Sequence, residues 1–153
     1  MANEEMIVFL ADDDEDDCLL FGEALHEIPV STQLMTVHNG EQLLHLLESM
    51  DGQLPDVLFL DLNMPRINGW QCLEEIKRND KLKLLHVVIF STSFHQEVAD
   101  QLFKKGALHY IRKPSAFGQL KSVIHQVLLI LQQERATLSA GASTQTKASF
   151  VLS

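Results

Sequence analysis

A small set of polar residues stands at the ends of short apolar runs. Asp12 and Asp13 follow the run 6–11, Asp61 follows 57–60, Ser91 follows 87–90, and Lys113 lies just beyond Tyr110-Ile111. Three carboxylates gathered in one pocket would repel one another and bind protons more tightly than usual. A divalent cation relieves that conflict. Magnesium suits it, being a hard ion that takes oxygen ligands, few of them from protein, and keeps waters for a phosphate. A lysine and a hydroxyl beside it would give a phosphoryl group a place to sit. Asp61 alone decides nothing, because Asp is also a preferred helix cap. The chemistry depends on whether the chain brings these residues together.

The elements that must do so can be read from periodicity. Residues 6–11 are wholly apolar and run straight into Asp12-Asp13-Asp14-Glu15-Asp16-Asp17. A strand buried on both faces of a parallel sheet has this character. Leu19, Leu20, Ala24, Leu25 and Ile28 then recur at helical spacing, and Pro29 stops the helix. The acids at its start suit the positive end of the helix dipole. Further strands are expected at 32–37, 57–60, 87–90 and 110–111. Helices are expected at 41–50, after Gly69, at 96–105 closed by Gly106, and along the stripe from Phe117 to Leu131. Strands alternating with helices argue for an α/β fold: a doubly wound, five-stranded parallel sheet with five helices and right-handed crossovers. In such a sheet ligands bind beyond the carboxyl ends of the strands, where these polar residues would stand. The chain divides into a domain over 1–135 and an Ala/Ser/Thr-rich tail over 136–153, which reads as flexible.

Composition narrows the function classes. A length of 153 residues with 46% hydrophobic content supports one globular domain without staples. The formal net charge of -9 gives no drive toward nucleic acid or an anionic membrane, and favours cations and basic protein surfaces. Cys18 and Cys72 lack metal-ligand spacing and read as reduced residues. The start Met-Ala-Asn-Glu-Glu has no basic leader, and no apolar run approaches membrane-spanning length, so a cytoplasmic protein is the simplest expectation.

The ordered motifs resemble the receiver domain of two-component response regulators, in its stand-alone, chemotaxis-regulator-like form. They are Asp12-Asp13 after a hydrophobic strand, Asp61-Leu-Asn-Met-Pro-x-x-x-Gly69, Ser91 after Val87-Val88-Ile89-Phe90, Gly106-Ala107, and Tyr110-x-x-Lys113-Pro114. Their separations match the family, and the likeness runs from about Ile7 to Leu131. The resemblance implies a flavodoxin-like (βα)5 fold and a role in phosphorelay signalling. Asp61 would be the phosphoacceptor. Asp12 and Asp13 would hold magnesium together with Asp61 and the backbone carbonyl of Asn63. Lys113 would neutralise phosphoryl oxygens, and Ser91 would bond the phosphoryl group once formed. Tyr110 would be the aromatic switch that turns inward as Ser91 moves. The Lys113–Pro114 bond would be cis. Such a protein is no enzyme in the usual sense, catalysing only its own phosphorylation and dephosphorylation. Its phosphate would come from a histidine kinase or a histidine phosphotransfer protein.

Some residues depart from the pattern. Ser91 replaces a more frequent Thr and keeps the hydroxyl. Asp14, Glu15, Asp16 and Asp17 exceed what the family requires and read as a solvated loop and helix start. Asp12, Asp14, Asp16 and Glu23 match part of a calcium-binding loop, but Asp17 stands where that loop needs Gly, and a strand precedes it. Two other readings are a phosphorylation-independent binding module and a small-molecule phosphotransfer enzyme; the intact site argues against the first, and the lack of a lid insert against the second. The short chain after Leu131 suggests output through protein contacts with a downstream target. Leu129 and Ile130 widen the apolar face of the last helix, which raises a homodimer or partner surface there and along the fifth strand around Tyr110.

Overall fold

A computed structural model describes residues 5–51, 53–139 and 150–152. The order is β1 (Met6–Ala11), α1 (Glu15–Glu27), β2 (Thr32–Val37), α2 (Gly40–Ser49), β3 (Val57–Leu60), α3 (Gly69–Arg78), β4 (Val87–Ser91), α4 (Gln96–Lys104), β5 (His109–Arg112), α5 (Phe117–Ser139) and β6 (Val151–Leu152). The sheet runs β2-β1-β3-β4-β5-β6, and every neighbouring pair is parallel. The expected α/β architecture is present, with a sixth strand added to the expected five.

Period-two alternation along the strands splits the core between the two faces. Val8, Leu10, Phe59 and Phe90 pack with Phe21 and Leu25 of α1 and with Val123, Ile124 and Val127 of α5. Phe9, Leu58, Leu60 and Ile89 pack with Leu43 of α2, Leu73 and Ile76 of α3, and Leu102 of α4. Because both faces are covered, β1, β3 and β4 as far as Phe90 are apolar instead of alternating with polar residues. Phe21, Phe59 and Phe90 meet edge to face, with centroids 4.9 to 6.3 Å apart. Cys18 and Cys72 are free and buried.

Local chemistry starts and stops the helices. The Asp14 carboxylate caps α1 by accepting from the Asp17 N–H, and Glu15, Asp16 and Asp17 occupy the first turn. Asn39 caps α2, and Asn68 with Gln71 forms a reciprocal capping box on α3. After α4, Gly106 takes a left-handed backbone at φ 104°, which glycine adopts without a Cβ penalty.

The C-terminal region differs from expectation in two ways. Helix α5 continues past residue 135 to Ser139. Beyond it, Val151 and Leu152 pair with Tyr110 and Ile111, where no element was expected. Two residues are too few to show a period, yet they satisfy an otherwise open strand edge. The Tyr110 N–H donates to the Phe150 carbonyl at 2.9 Å, Leu152 is buried, and Phe150 stacks edge-on to Phe103. The rest of the expected flexible tail, 140–149 and 153, lies outside the described residues. The surface raised for a partner along β5 and α5 is therefore reduced. The β5 edge is covered by β6, and Ile130 packs against the core, while Leu129 is exposed. Deleting residues 150–153 should speed hydrogen exchange at the Tyr110 amide and leave the amides of central β3 unchanged. Unchanged exchange at Tyr110 would show that β6 does not pair there. No helix among the described residues is long and apolar enough to cross a membrane.

Candidate functional site

Strand register brings the polar tips together. Ala11 pairs with Leu60, so Asp12 and Asp61 emerge side by side where the strand order reverses between β1 and β3. Ser91 ends β4 opposite Arg112, which places Lys113 one residue beyond. Backbone bonds fix these tips. Asp12 N–H donates to the Val37 carbonyl at 3.0 Å, Asp61 N–H to the Ala11 carbonyl at 2.9 Å, and Lys113 N–H to the Ser91 carbonyl at 2.7 Å.

Asp12, Asp13 and Asp61 each present a carboxylate oxygen, all within 4.8 Å of one another. Asp12 and Asp61 are buried while Asp13 is exposed, so the cluster opens to solvent on the Asp13 side. The Asp12 carboxylate accepts from the Asp14 N–H at 3.0 Å, and Asp61 accepts from the Asn63 N–H at 3.2 Å. Asn63, whose carbonyl the resemblance adds to the ligand set, thus sits in the turn that closes over Asp61. Burial pushes the Asp61 carboxyl up to about 6; Lys113 and the Asn63 N–H work against that rise, and the Asp12 charge adds to it. Crowded, oxygen-only donors of this kind fit a hard divalent cation such as magnesium.

Lys113 Nζ donates to Asp12 Oδ2 at 2.7 Å and to Asp17 Oδ2 at 2.8 Å, and lies 3.6 Å from Asp61 Oδ2. Burial alone would lower the lysine's pKa. The bonds to Asp12 and Asp17 and the Asp61 charge outweigh it and hold the ammonium above its ordinary range. The Phe90 ring lies 5.3 Å beneath the ammonium, a cation–π distance.

Asp17 is the residue that sequence reasoning missed. Asp14 caps α1 and Asp16 is exposed, as expected of a solvated helix start, but Asp17 is half-buried and paired with Lys113. A helical side chain leans toward the N-terminus of its helix, here toward the strand tips. The signal was its place three residues after the capping Asp14, which the length of the acidic run obscured. His38 bonds the Asp12 carbonyl through Nδ1 at 3.2 Å.

Ser91 is fully buried, and its Oγ accepts from the Ser93 N–H at 3.4 Å. Tyr110 already points inward. Its ring is buried edge-on against Phe94 with centroids 5.3 Å apart, and its hydroxyl donates to the Ser93 carbonyl. Burial raises the Tyr110 phenol, and the Ser91 side chain works against that rise. One expectation is corrected. The Lys113–Pro114 bond is trans, since no cis peptide bond occurs among the described residues. Trans is the lower-energy form of an X–Pro bond by about 0.5–1 kcal/mol.

The family model of the response regulator receiver domain matches residues 8–125. The nitrate/nitrite response regulator protein NarL of Escherichia coli (strain K12) is 34% identical over 128 residues; the match takes 82% of this chain and 56% of NarL, so the chain spans about half of that relative. The probable methanogenesis regulatory protein FilR2 of Methanothrix harundinacea is 25% identical over 129 residues, covering 82% of this chain and 83% of FilR2. Among solved structures, the phosphorylated cyanobacterial phytochrome response regulator RcpA superposes with a TM-score of 0.71 at 26% identity, covering 94% of this chain and 100% of RcpA.

Proposed function

The chain belongs to the response regulator receiver domain family, and from that premise we propose that it accepts a phosphoryl group on Asp61, in a magnesium-dependent reaction, from a phosphohistidine of a sensor kinase or phosphotransfer protein, and thereby switches its contacts with a downstream protein. One observation carries this reading. A buried carboxylate at the tip of β3 shares an all-oxygen cluster with Asp12 and Asp13 and lies 3.6 Å from the Lys113 ammonium.

Phosphoryl transfer asks mainly for positioning and charge neutralisation. An Asp61 oxygen forms a bond to phosphorus as the phosphorus–nitrogen bond to the donor imidazole breaks, and the electron pair of that bond returns to the ring nitrogen. Asp12, Asp13, Asp61 and the Asn63 carbonyl would hold magnesium, which when bound would supply positive charge to the phosphoryl oxygens. Lys113, whose ammonium lies 3.6 Å from Asp61 Oδ2, adds a second positive charge. The Ser91 hydroxyl donates to a phosphoryl oxygen once the aspartyl phosphate exists. Ser91 and Tyr110 both bond Ser93, so a shift of Ser91 reaches the aromatic ring through one short turn. The phosphoryl group moves this equilibrium only as far as it favours one arrangement over the other. Hydrolysis of the aspartyl phosphate restores the start, so the protein turns over nothing but its own modification. With a net charge of -9, its partners are proteins presenting basic surfaces and not nucleic acid.

Intact-mass analysis after incubation with magnesium and acetyl phosphate tests the reading. Wild type should gain a single phosphoryl group that is lost on standing or at alkaline pH, and Asp61→Asn should gain none. An adduct that survives Asp61→Asn would overturn the assignment. No adduct from acetyl phosphate or from a phosphorylated histidine kinase would make this a phosphorylation-independent binding module.

A further inference from the structure

Lys113 has more partners than its proposed role requires. An ammonium carries three protons. Two of them are engaged by Asp12 at 2.7 Å and Asp17 at 2.8 Å, and the 3.6 Å gap to Asp61 is too long for a hydrogen bond. Asp12 belongs to the cation cluster, but Asp17 does not. Asp17 is nonetheless well placed to direct the lysine. Its backbone is tied to the Asp14 carboxylate at 3.1 Å within the first turn of α1, and its carboxylate shares the lysine with that of Asp12.

We propose that Asp17 is a positioning residue of this site, holding the Lys113 ammonium off Asp61 so that Asp61 stays open to a divalent cation and to the phosphoryl group. This rests on the function proposed above and adds a residue to its machinery. Without the Asp17 carboxylate, the next anion within reach of Nζ is Asp61. An ammonium bound to Asp12 and Asp61 together is a direct competitor for the oxygens that take the cation. The cation must then displace a lysine that Asp17 had held aside. When a phosphoryl group arrives on Asp61, the lysine exchanges Asp17 for a phosphoryl oxygen, so the first turn of α1 loses an ion pair at the moment of activation.

The test compares Asp17→Asn with Asp16→Asn, using magnesium alone as the probe. Both changes remove one negative charge from the same helical turn, and Asp16 is exposed with no bond to Lys113 among the described contacts. Circular dichroism and melting first establish that both variants fold. Binding is then followed by Trp70 fluorescence and by the backbone amide signals of Asp13 and Asp61. Asp17→Asn should raise the half-saturating magnesium concentration about tenfold, the order expected when a charge-assisted hydrogen bond is redirected. Asp16→Asn should raise it no more than about twofold, as a screened surface charge does. Asp17→Glu should recover most of the loss. The Lys113 side-chain ammonium signal should be protected from exchange in wild type and Asp16→Asn, and lose that protection in Asp17→Asn. Equal behaviour of Asp17→Asn and Asp16→Asn on a wild type that binds magnesium would overturn the role of Asp17 alone. A wild type that does not bind magnesium would overturn the proposed function together with it.

Discussion

Gly69→Ala should lower the unfolding midpoint by about 6–12 °C, from a destabilisation of about 3 kcal/mol. Gly69 opens α3, and a Cβ there would stand 2.2 Å from the Asp61 carbonyl oxygen and 2.7 Å from Leu62 Cα. Those are backbone atoms, so no side chain can rotate away. Asp61 is tied to β1 through its N–H, and the Gly69 N–H donates to the Leu62 carbonyl at 3.0 Å. The loop from Asp61 to Gly69 is closed on itself, and an added methyl group must push Asp61 off its strand or pull α3 away. Gly40→Ala makes a useful comparison. Its Cβ would meet the Ile67 carbonyl oxygen at 2.0 Å, which strains the same loop further from Asp61. Both variants should melt early, and Gly69→Ala should lose more magnesium affinity of the two. A Gly69→Ala protein melting within about 2 °C of wild type would show that the loop yields freely.

Asp61→Asn should act in the opposite direction in metal-free buffer. At pH 7.5 the variant should be more stable than wild type by about 2–3 kcal/mol. Burial raises the Asp61 carboxyl from 3.8 to about 6, so the folded chain binds that proton more tightly than the unfolded chain does. Between those two values the folded state holds more protons. Stability therefore falls as pH rises through the window and levels off above it. Asn carries no charge to desolvate and keeps an oxygen for the Asn63 N–H. The advantage of the variant should shrink toward nothing near the unfolded value, about pH 4, where wild-type Asp61 is itself neutral. Magnesium at high excess should reverse the order at pH 7.5, because a cation held at 1,000 times its dissociation constant stabilises the folded state by about 4.1 kcal/mol, and Asn removes one of its carboxylates. Urea unfolding across pH, with chelator and then with magnesium, reads all of this. A variant less stable than wild type in chelator at pH 7.5, or a difference that does not change with pH, would contradict the account.

Both substitutions act on one arrangement. A buried carboxylate that is costly when ionised and empty-handed becomes an asset when a cation arrives. The close glycine contact keeps it in place. A site of this kind gives up stability in the resting protein for readiness to react, as functional sites commonly do.

Much of this was fixed by local sequence. The apolar runs that become β1, β3 and β4, the Asp14, Asn39 and Asn68 caps, and the Gly106 stop are set by residues close together in the chain, where side-chain period and backbone sterics decide the outcome. Alternation of strands and helices then required a parallel sheet, and a parallel sheet put Asp12, Asp13, Asp61, Ser91 and Lys113 at one edge. What remained depended on how separate elements meet. Asp17 became a partner of Lys113 because the first turn of α1 leans over the tip of β1, while its neighbours in the same acidic run face water. Val151 and Leu152 became a strand because β5 offered an unpaired edge, and Ile130 turned to the core while Leu129 did not. Composition, period and spacing state which residues are near the strand tips. Only packing and register set the distances of a few ångströms that make Lys113 a neighbour of Asp61 and a partner of Asp17.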